Sequence, residues 1–342
     1  MSVRKIARLA GISHAAVSLA LRNSAKVSEA TRARVHRIAK RLGYRPNSKV
    51  RELMGQVSLS KQNGCRACFG VISLYNTARP WEQSLHLRRM FDAMMNRSES
   101  LGYRLEPFWM HTPGLTMRRF RNILDARGIE GLLCFGSPDF DAAFPKELDH
   151  YAIVTQGLSI STPLHRVISH AYNDTWHALE KAYALGYRRP GLILGKYEEV
   201  RSGHANASAY LGWCEHKSGA TQALPILRID QVRDEPLNSW VRAQQPDVVI
   251  FVHNYDMLPE LDAVLRRADF RVPKELAVIV VSQVVRGSGF SGMEENQMVM
   301  GEWASELLAS RIVNRDFGIP EQPRIEMIES QWVDGESLPM RR

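Results

Sequence analysis

The first 64 residues hold the side chains with the clearest chemical role, a dense set of cations. They include 14 Lys and Arg residues against two acids, Glu29 and Glu52, so this segment carries a net charge of +12. The cations are Arg4, Lys5, Arg8, Arg22, Lys26, Arg32, Arg34, Arg37, Lys40, Arg41, Arg45, Lys49, Arg51 and Lys61. The whole chain carries +9, which leaves −3 for residues 65–342. Because cations that neutralise phosphates release condensed counterions, this imbalance is typical of a protein that binds a polyanion; a merely soluble basic surface is the alternative.

Side chains suited to catalysis or metal binding are scattered along the chain. The sequence holds no G-x-x-x-x-G-K-[ST], no H-E-x-x-H and no G-x-S-x-G motif. Cys65 and Cys68 form a C-x-x-C without a second ligand pair, so we interpret them as ordinary thiols. Asp139 and Asp141 are typical of a solvated turn, and the 11 histidines are isolated. We therefore expect no enzymatic activity, no metal and no cofactor.

The composition predicts a globular chain with more than one domain. The 342 residues are 44% hydrophobic and 24% charged, which is enough apolar surface for two or three units. There is no run of about 18 apolar residues, so no membrane span is expected. The opening residues MSVRKIARLAG lack the apolar stretch of a secretory signal, and we expect a cytoplasmic location.

Three short helices are predicted within the basic segment. Ile6, Leu9 and Ala10 have helical spacing, and Gly11 ends that helix. Ser13 is a good N-cap for a second helix from His14 to about Arg22, with Val17 and Leu21 as its buried stripe. Ser28 caps a third helix, which ends at Gly43. The third helix buries the residues Val35, Ile38 and Leu42. Two helices joined by a tight turn and braced by a third form a helix-turn-helix.

Strand and helix patterns alternate through the rest of the chain. Continuous apolar runs, typical of strands buried on both faces, occupy residues 69–74, 131–135, 151–157, 191–195, 247–252 and 276–282. Amphipathic stretches lie near residues 84–100, 174–185, 259–268 and 296–313. This alternation predicts two α/β layers with parallel sheets. LGYR occurs three times, at residues 42–45, 101–104 and 185–188, and we interpret each as the same glycine helix stop.

The segment KIARLAGISHAAVSLALRNSAKVSEATRARVHRIAKRLGYRPN closely resembles the DNA-binding headpiece of the LacI/GalR (lac repressor) family of bacterial transcription regulators, and SKVRELMG continues it as a hinge. The resemblance implies that the second helix enters the major groove and that Ser18, Ser28 and Thr31 touch phosphates. It also implies that residues 47–54 form a short helix in the minor groove, with Leu53 wedged between base pairs. The DNA-binding residues predicted from it are His14, Ala15, Ser18, Leu19, Arg22, Ser28, Thr31, Asn47, Val50 and Leu53.

The predicted base-reading residues depart from the polar pattern usual in that family. Ala15 and Leu19 cannot donate a hydrogen bond to a base edge, although they can contact a thymine methyl group. We hypothesise that His14 is the main polar reader and that DNA deformability at Leu53 supplies further specificity. Val50 stands where the family often has alanine, and a β-branched residue is bulkier in a narrow groove.

Residues 65–342 resemble the regulatory core of the same family more loosely, in GYRRPGLILG, RVPKELAVIVVS and SGMEENQMVMGEWASELLASRI. The resemblance implies two Rossmann-like lobes, as in periplasmic binding proteins, with an effector cleft at the carboxyl ends of the strands. Three chain crossings should fall near residues 160–170, 284–295 and 319–326. The candidate effector-binding residues are Tyr75, Trp81, Asn254, Tyr255 and Gln283.

The identity of the effector stays open at this point. A sugar site combines Arg, Asp and Asn side chains, yet Tyr255 and Gln283 stand at or near positions where the family usually has aspartate, and Ala209 stands where arginine is expected. The effector is therefore a sugar, another small molecule, or absent. Tyr75 and Trp81 would stack on a ligand or merely pack in the core.

These observations predict a dimeric, sequence-specific transcription regulator, most simply a repressor, that binds a near-palindromic double-stranded operator and responds to a small-molecule effector. The alternative is a sugar-binding or sugar-converting protein without a DNA role. The predicted domains are a helix-turn-helix headpiece (1–47), a hinge helix and linker (48–64) and a two-lobed core (65–342). The first lobe is predicted at about 65–165 and 293–320, and the second at about 166–290 and 323–338.

Overall fold

The computed structural model describes residues 3–21, 27–42, 67–137, 142–217, 219–253, 258–267, 270–281 and 286–341. Its N-terminal helices are α1 (Val3–Ala10), α2 (His14–Leu21) and α3 (Glu29–Arg41). The later helices are α4 (Leu85–Ser100), α5 (Met117–Ala126), α6 (Ala171–Ala184), α7 (Lys196–Arg201), α8 (Ala205–His216), α9 (Asp234–Gln244), α10 (Leu258–Arg267) and α11 (Gln297–Asn314). The strands are β1 (Cys68–Ser73), β2 (Arg104–Trp109), β3 (Ile129–Cys134), β4 (Ala152–Gln156), β5 (His165–Ser169), β6 (Pro190–Gly195), β7 (Leu227–Ile229), β8 (Val248–Val252), β9 (Ala277–Val281), β10 (Ser291–Glu294), β11 (Ile325–Ile328) and β12 (Gln331–Val333).

The headpiece α1–α3 has a hydrophobic core of its own. Ile6, Val17 and Val35, one from each helix, are fully buried, and smaller alanines fill the space between them. The predicted caps are present, because Ser13 Oγ accepts the Ala16 N–H at 3.2 Å and Ser28 Oγ accepts the Thr31 N–H at 3.4 Å. These features confirm the predicted helix-turn-helix. Gly43, the predicted end of the third helix, lies outside the described residues.

The rest of the chain forms two lobes, each built on a parallel sheet. The first sheet has the strand order β11-β5-β4-β3-β1-β2, and α4 and α11 cover one face while α5 covers the other. The second sheet has the order β12-β10-β9-β8-β6-β7, with α6 and α8 on one face and α9 and α10 on the other. Every strand pairs in parallel except β12, which runs antiparallel to β10. The predicted two-layer α/β core is confirmed. In the described part of the chain, no helix is long and apolar enough to cross a membrane.

The chain passes between the lobes at three places, and these differ in detail from the predicted boundaries. The crossings follow β5 at residue 170, β10 at residues 295–296 and β11 at residues 329–330. Residues 166–169 and 325–328, which the prediction gave to the second lobe, therefore pair in the first sheet. Residues 293–294, predicted in the first lobe, pair in the second sheet. Short edge strands such as β11 expose alternate residues and lack a continuous apolar run, so sequence pattern alone did not locate them.

Two of the three LGYR segments end helices in the same way. Gly102 has φ +88° and Gly186 has φ +96°, a conformation that favours glycine. The following tyrosine N–H returns to the last turn, from Tyr103 to the Ser98 carbonyl at 2.9 Å and from Tyr187 to the Ala182 carbonyl at 3.1 Å. The predicted helix stop is confirmed at these two positions.

The packing of α4 against α11 depends on small residues at the crossing. A Cβ atom added to Gly301 would lie 2.5 Å from the Met90 carbonyl oxygen and 3.0 Å from Ala93 Cβ. Next to it, Ser305 Oγ donates to the Met94 carbonyl at 3.2 Å. The two helix backbones are therefore too close for a larger side chain at position 301.

Gly301→Ala is expected to lower the free energy of unfolding by about 1–3 kcal/mol because of this overpacking. Gly212→Ala is the matched control, since Gly212 also lies within a helix and its nearest neighbour, Tyr172 Oη, is 3.6 Å from the added Cβ. The control is expected to raise stability by about 0.5–1 kcal/mol, the helix propensity gain from glycine to alanine. Urea denaturation of both variants measures the difference, and equal stabilisation by the two changes would contradict the close crossing.

Candidate functional site

The candidate DNA-contacting element is α2, which begins at His14 directly after its N-cap Ser13. The backbone of His14, Ala15 and Ser18 lies in the first two turns of this helix, while their side chains lie outside the described part of the structure. Leu19 is half-buried and packs against the headpiece core. Its predicted contact with a base therefore competes with packing, and it stays a prediction.

The start of α3 presents hydroxyl groups to solvent. Ser28 is exposed and Thr31 is half-buried, and their oxygens are 2.9 Å apart. The N-terminus of a helix carries a partial positive charge and free N–H groups, which suit a phosphate. Further along α3, the cations Arg34, Arg37 and Lys40 are exposed. The predicted DNA contacts Arg22, Asn47, Val50 and Leu53 lie outside the described residues and stay predictions.

A cavity of about 210 Å³ lies between the two lobes of the core. Its wall comes from the loop after β4, from β11, from α7 and the start of α8, and from two of the three crossings. The polar lining includes His170, Glu198, Arg201, Asn206 and Glu295. The apolar lining includes Leu158, Ile168, Tyr172, Met300, Ile325 and Met327. Because both lobes and the crossings meet here, a ligand in this cavity would act on the angle between the lobes.

Helix α7 carries side chains of the second lobe into the space between the lobes. The Tyr197 hydroxyl donates to the Ser137 carbonyl, in the first-lobe loop after β3, at 3.1 Å. Arg201 lines the large cavity and also a pocket of about 20 Å³, where it meets Tyr75 and His86 of the first lobe. A pocket of that size holds about one water molecule. Thus α7 fills this end of the cleft, and the 210 Å³ cavity is the part left for a ligand.

Arg201 lies near two acids and two tyrosines in the cleft. Burial by itself would lower the pKa of its guanidinium, but the neighbouring Glu295, Tyr197, Tyr75 and Glu198 reverse this, so that the pKa is raised. Arg201 is therefore cationic at every physiological pH.

The two carboxylates near Arg201 are almost fully buried. Glu198 is 8% exposed and Glu295 is 6% exposed. In each of them, Oε2 has no hydrogen-bond partner within the described structure. Burial raises the pKa of Glu295, against the opposing effect of Arg201. Buried polar atoms are normally paired, so each of these two oxygens lacks a hydrogen-bond donor that a buried carboxylate usually has.

His86 borders the smaller pocket from the start of α4. Burial, together with the charges of Arg201 and Arg89, lowers the pKa of His86 to about 3. The imidazole is thus neutral at physiological pH and adds no positive charge to the cleft. Its Nδ1 atom has no hydrogen-bond partner within the described structure, nor does Gln156 Nε2 in the same pocket.

The structure describes two of the five predicted effector residues, and only one of these two lines a pocket. Tyr75 reaches the small pocket at Arg201, whereas Trp81 is buried and stacks on Phe91 with ring centroids 4.3 Å apart, so Trp81 belongs to the core of the first lobe. Asn254, Tyr255 and Gln283 lie outside the described residues and stay predictions. This packing does not support the predicted ligand contact of Trp81, because the faces of its ring are used in the core.

Glu198, Arg201 and Glu295 were not among the residues predicted from the sequence. The segment KYEEVR is too short to show helical periodicity, so α7 was not predicted. A usable signal was present, because β6 was predicted to end at Gly195 and ligands bind beyond the carboxyl ends of parallel strands. Glu295 lies at the end of the crossing predicted near residues 284–295, but its neighbouring residues did not mark this acid as part of the cleft.

Asp174 lies on α6 close to the crossings and is 1% exposed. Its Oδ2 accepts a hydrogen bond from Ser330 Oγ at 2.7 Å. Burial raises the pKa of Asp174 to about 7; the Ser330 hydrogen bond opposes the rise, while Glu295 and Glu329 add to it. The folded protein therefore keeps this proton at pH values where an unfolded chain, with its carboxyl near 3.8, has released it.

Stability is consequently expected to fall as the pH rises from about 4 to 7, by at most about 4 kcal/mol from this group. Asp174→Asn keeps an acceptor for Ser330 and removes the titration, so its melting temperature should fall less than that of the parent protein between pH 5 and pH 8. Asp149→Asn, an exposed site, is the control and should keep the parental slope. Parallel pH profiles for Asp174→Asn and the parent protein would show that this carboxyl titrates normally.

The headpiece and part of the core each match a known protein-family model. Residues 2–47 match the model "Bacterial regulatory proteins, lacI family", and residues 179–338 match a periplasmic binding protein-like domain. The HTH-type transcriptional regulator TreR of Salmonella typhimurium (strain LT2) is 26% identical over 242 residues, which cover 68% of this chain and 69% of TreR.

Solved structures show the same fold along nearly the whole chain. A complex of the transcriptional regulator CelR with cellobiose has a TM-score of 0.60 at 19% identity, covering 98% of this chain and 99% of that one. A lac repressor dimer bound to operator and the anti-inducer ONPF has a TM-score of 0.59 at 14% identity, covering 99% of both chains. The chain thus combines a headpiece that matches the lacI family model, a periplasmic binding protein-like domain and the fold of these solved regulators.

Proposed function

We propose that this protein is a dimeric repressor that binds a near-palindromic operator through its two headpieces and changes its affinity when a small molecule occupies the cleft. The observation that carries the proposal is the headpiece. It has a hydrophobic core of its own, its first two helices form a helix-turn-helix, and its third helix exposes cations. Members of the family are transcription regulators and not enzymes, and we extend this to the present chain. Such a regulator works in the cytoplasm, where the chromosome lies.

Dimerisation follows from the size of the headpiece. A single module of this kind covers about 600–1,000 Å² of DNA, which is little for specific binding at physiological salt. Two headpieces on one duplex double the contact, and two-fold symmetry then requires a site with inverted half-sites. We assign residues 1–47 to the headpiece, residues 48–64 to the hinge and linker, and the remainder to the core that holds the two headpieces together.

The cleft supplies the regulatory part of the proposal. Its cavity joins both lobes and two of the three crossings, so a ligand that fits only one angle between the lobes would favour one of two states. That angle sets how the two hinge segments of a dimer approach each other, and therefore how well both headpieces reach one duplex. A carbohydrate is the first ligand class to consider, since CelR of the same fold was solved with cellobiose.

Selection of binding sites from a random-sequence duplex library by the full chain tests the DNA-binding part. The expected result is an inverted repeat, bound with an affinity that falls steeply as salt rises. If the chain binds no duplex even at low ionic strength, the proposal is wrong and a sugar-binding or sugar-converting protein becomes the better interpretation.

The same selection repeated with variants tests the base-reading hypothesis. His14→Ala is expected to relax preference at one or two base pairs per half-site, at about 1–3 kcal/mol for each lost contact, and Leu53→Ala to relax preference at the centre. His177→Ala, an exposed histidine of the core, is the control and should leave the selected site unchanged. If the selected sequence survives both headpiece changes, His14 and Leu53 do not determine it.

A further inference from the structure

The charged groups around the cavity do not balance. Glu198 and Glu295 are carboxylates, and Arg201 is the one permanently cationic side chain among the described residues that line the cavity. The His86 imidazole on the neighbouring pocket is neutral at physiological pH, because its pKa lies near 3. A buried charge without a partner is costly, so the cleft without a ligand has one negative charge in excess when both carboxylates are ionised.

The hydrogen-bonding capacity of the two carboxylates also favours a ligand that donates hydrogen bonds. Both carboxylates line the cavity, and each is more than nine-tenths buried and has one oxygen without a hydrogen-bond partner within the described structure. A carboxylate oxygen only accepts hydrogen bonds, so the ligand must donate them. Glu198 and Glu295 also repel each other, which adds to the raised pKa of Glu295. A cation placed between them would relieve this repulsion, whereas a neutral polyol would donate hydrogen bonds but leave the charge uncompensated.

Part of the cavity lining is apolar. Ile168, Met300 and Met327 face the same space as the two carboxylates. A volume of about 210 Å³ suits a small metabolite with one polar and one apolar face.

From these observations, and resting on the proposed function of the cleft as the effector site, we propose that the effector is a small organic ammonium compound of the amino-sugar type, whose protonated amine binds between Glu198 and Glu295 while its carbon face packs on the methionine and isoleucine wall. The amine donates hydrogen bonds to the two carboxylates that line the cavity. Arg201 continues to offset part of the charge of these carboxylates through space.

Three hexosamines (glucosamine, galactosamine and mannosamine) test the proposal against their parent hexoses and their N-acetyl derivatives, with the full chain at pH 7. Each N-acetyl derivative keeps the ring but removes the positive charge, which makes it the matched control ligand. Calorimetry or thermal stabilisation should show at least one hexosamine binding at least about tenfold more tightly than both of its neutral counterparts. Equal binding of the neutral compounds, or no binding of any hexosamine at millimolar concentration, overturns the proposal.

Two variants test the location of the amine. Glu295→Gln and Glu198→Gln should each reduce hexosamine affinity at least about tenfold and bring it towards that of the neutral sugar. Glu215→Gln removes the same charge from an exposed position on α8 and should leave the preference unchanged. An amine preference that survives both Glu198→Gln and Glu295→Gln would place the ammonium elsewhere.

The DNA-binding assay separates this inference from the proposed function. A chain that binds its selected duplex but shows no amine preference refutes the ammonium ligand alone. A chain that prefers a hexosamine but binds no duplex refutes the repressor and leaves the ligand class standing.

Discussion

Val35→Asn is expected to abolish duplex binding by the full chain while the core remains folded. Val35 is 0% exposed at the centre of the headpiece core, where it meets side chains of α1 and α2. Replacing it removes the burial of a valine side chain and places an amide where no partner is available, at a cost of about 3–5 kcal/mol. A domain of fewer than 50 residues has little stability to lose. The headpiece should therefore unfold, and affinity for the selected duplex should fall at least about a hundredfold.

Leu9→Asn is the matched control for this change. Leu9 lies on α1 of the same headpiece and is 48% exposed, so the substitution removes little buried surface. Asparagine is neutral in both variants, which leaves the charge that attracts DNA unaltered. Electrophoretic mobility shifts give the affinity, and circular dichroism and calorimetry follow the headpiece and the core. Wild-type binding by Val35→Asn would mean that the headpiece is not the DNA-binding unit.

Arg201→Met is expected to lower the stability of the core by about 3 kcal/mol, a typical cost of removing one partner from a buried charged group. Methionine has a similar length and keeps the packing, but it leaves Glu198 and Glu295 without the cation that offsets their charge. The deficit should be larger at pH 8 than at pH 5, because the raised pKa of Glu295 lets that carboxyl take up a proton as the pH falls. Thermal and urea unfolding at the two pH values measure both effects.

Two further variants make the Arg201 result specific. The double change Arg201→Met with Glu295→Gln should recover part of the lost stability, since it removes one of the two uncompensated charges. Arg242→Met, at an exposed position on α9, should change stability by no more than about 0.5 kcal/mol. If Arg201→Met behaves like Arg242→Met, then Arg201 does not compensate the carboxylates in the cleft.

Much of the fold could be predicted because its signals are local. Each of the six continuous apolar runs became a central strand, since a strand buried on both faces needs apolar residues at every position. The helix stops at Gly102 and Gly186 could be predicted for the same reason, because a left-handed backbone favours glycine whatever surrounds it. Two of the strands that were not predicted, β2 and β11, lack such a local pattern. In β2 and β11 the residues are exposed or half-buried, and only pairing with a neighbouring strand makes them strands.

For the cleft, the local signals were weaker and partly misleading. Tyr75 and Trp81 both follow the end of β1, yet only Tyr75 reaches the pocket, because the ring of Trp81 turns into the space between Phe91 and Phe135. Which aromatic side chain faces a cleft depends on the helix packed beside it, in this case α4. The types of the two residues do not indicate which of them this will be.

The amino-acid sequence by itself determined that this protein has a cationic helix-turn-helix at its N-terminus and an α/β core behind it, since charge density, caps and periodicity are properties of neighbouring residues. Only the tertiary structure decided which polar groups share the cleft. Glu198 and Arg201 lie on one short helix, whereas Glu295 is more than 90 residues further along the chain, and a crossing between the lobes brings it beside them. Their charges interact through space at short range, so no pattern along the chain could reveal that an acid from one crossing would complete the site.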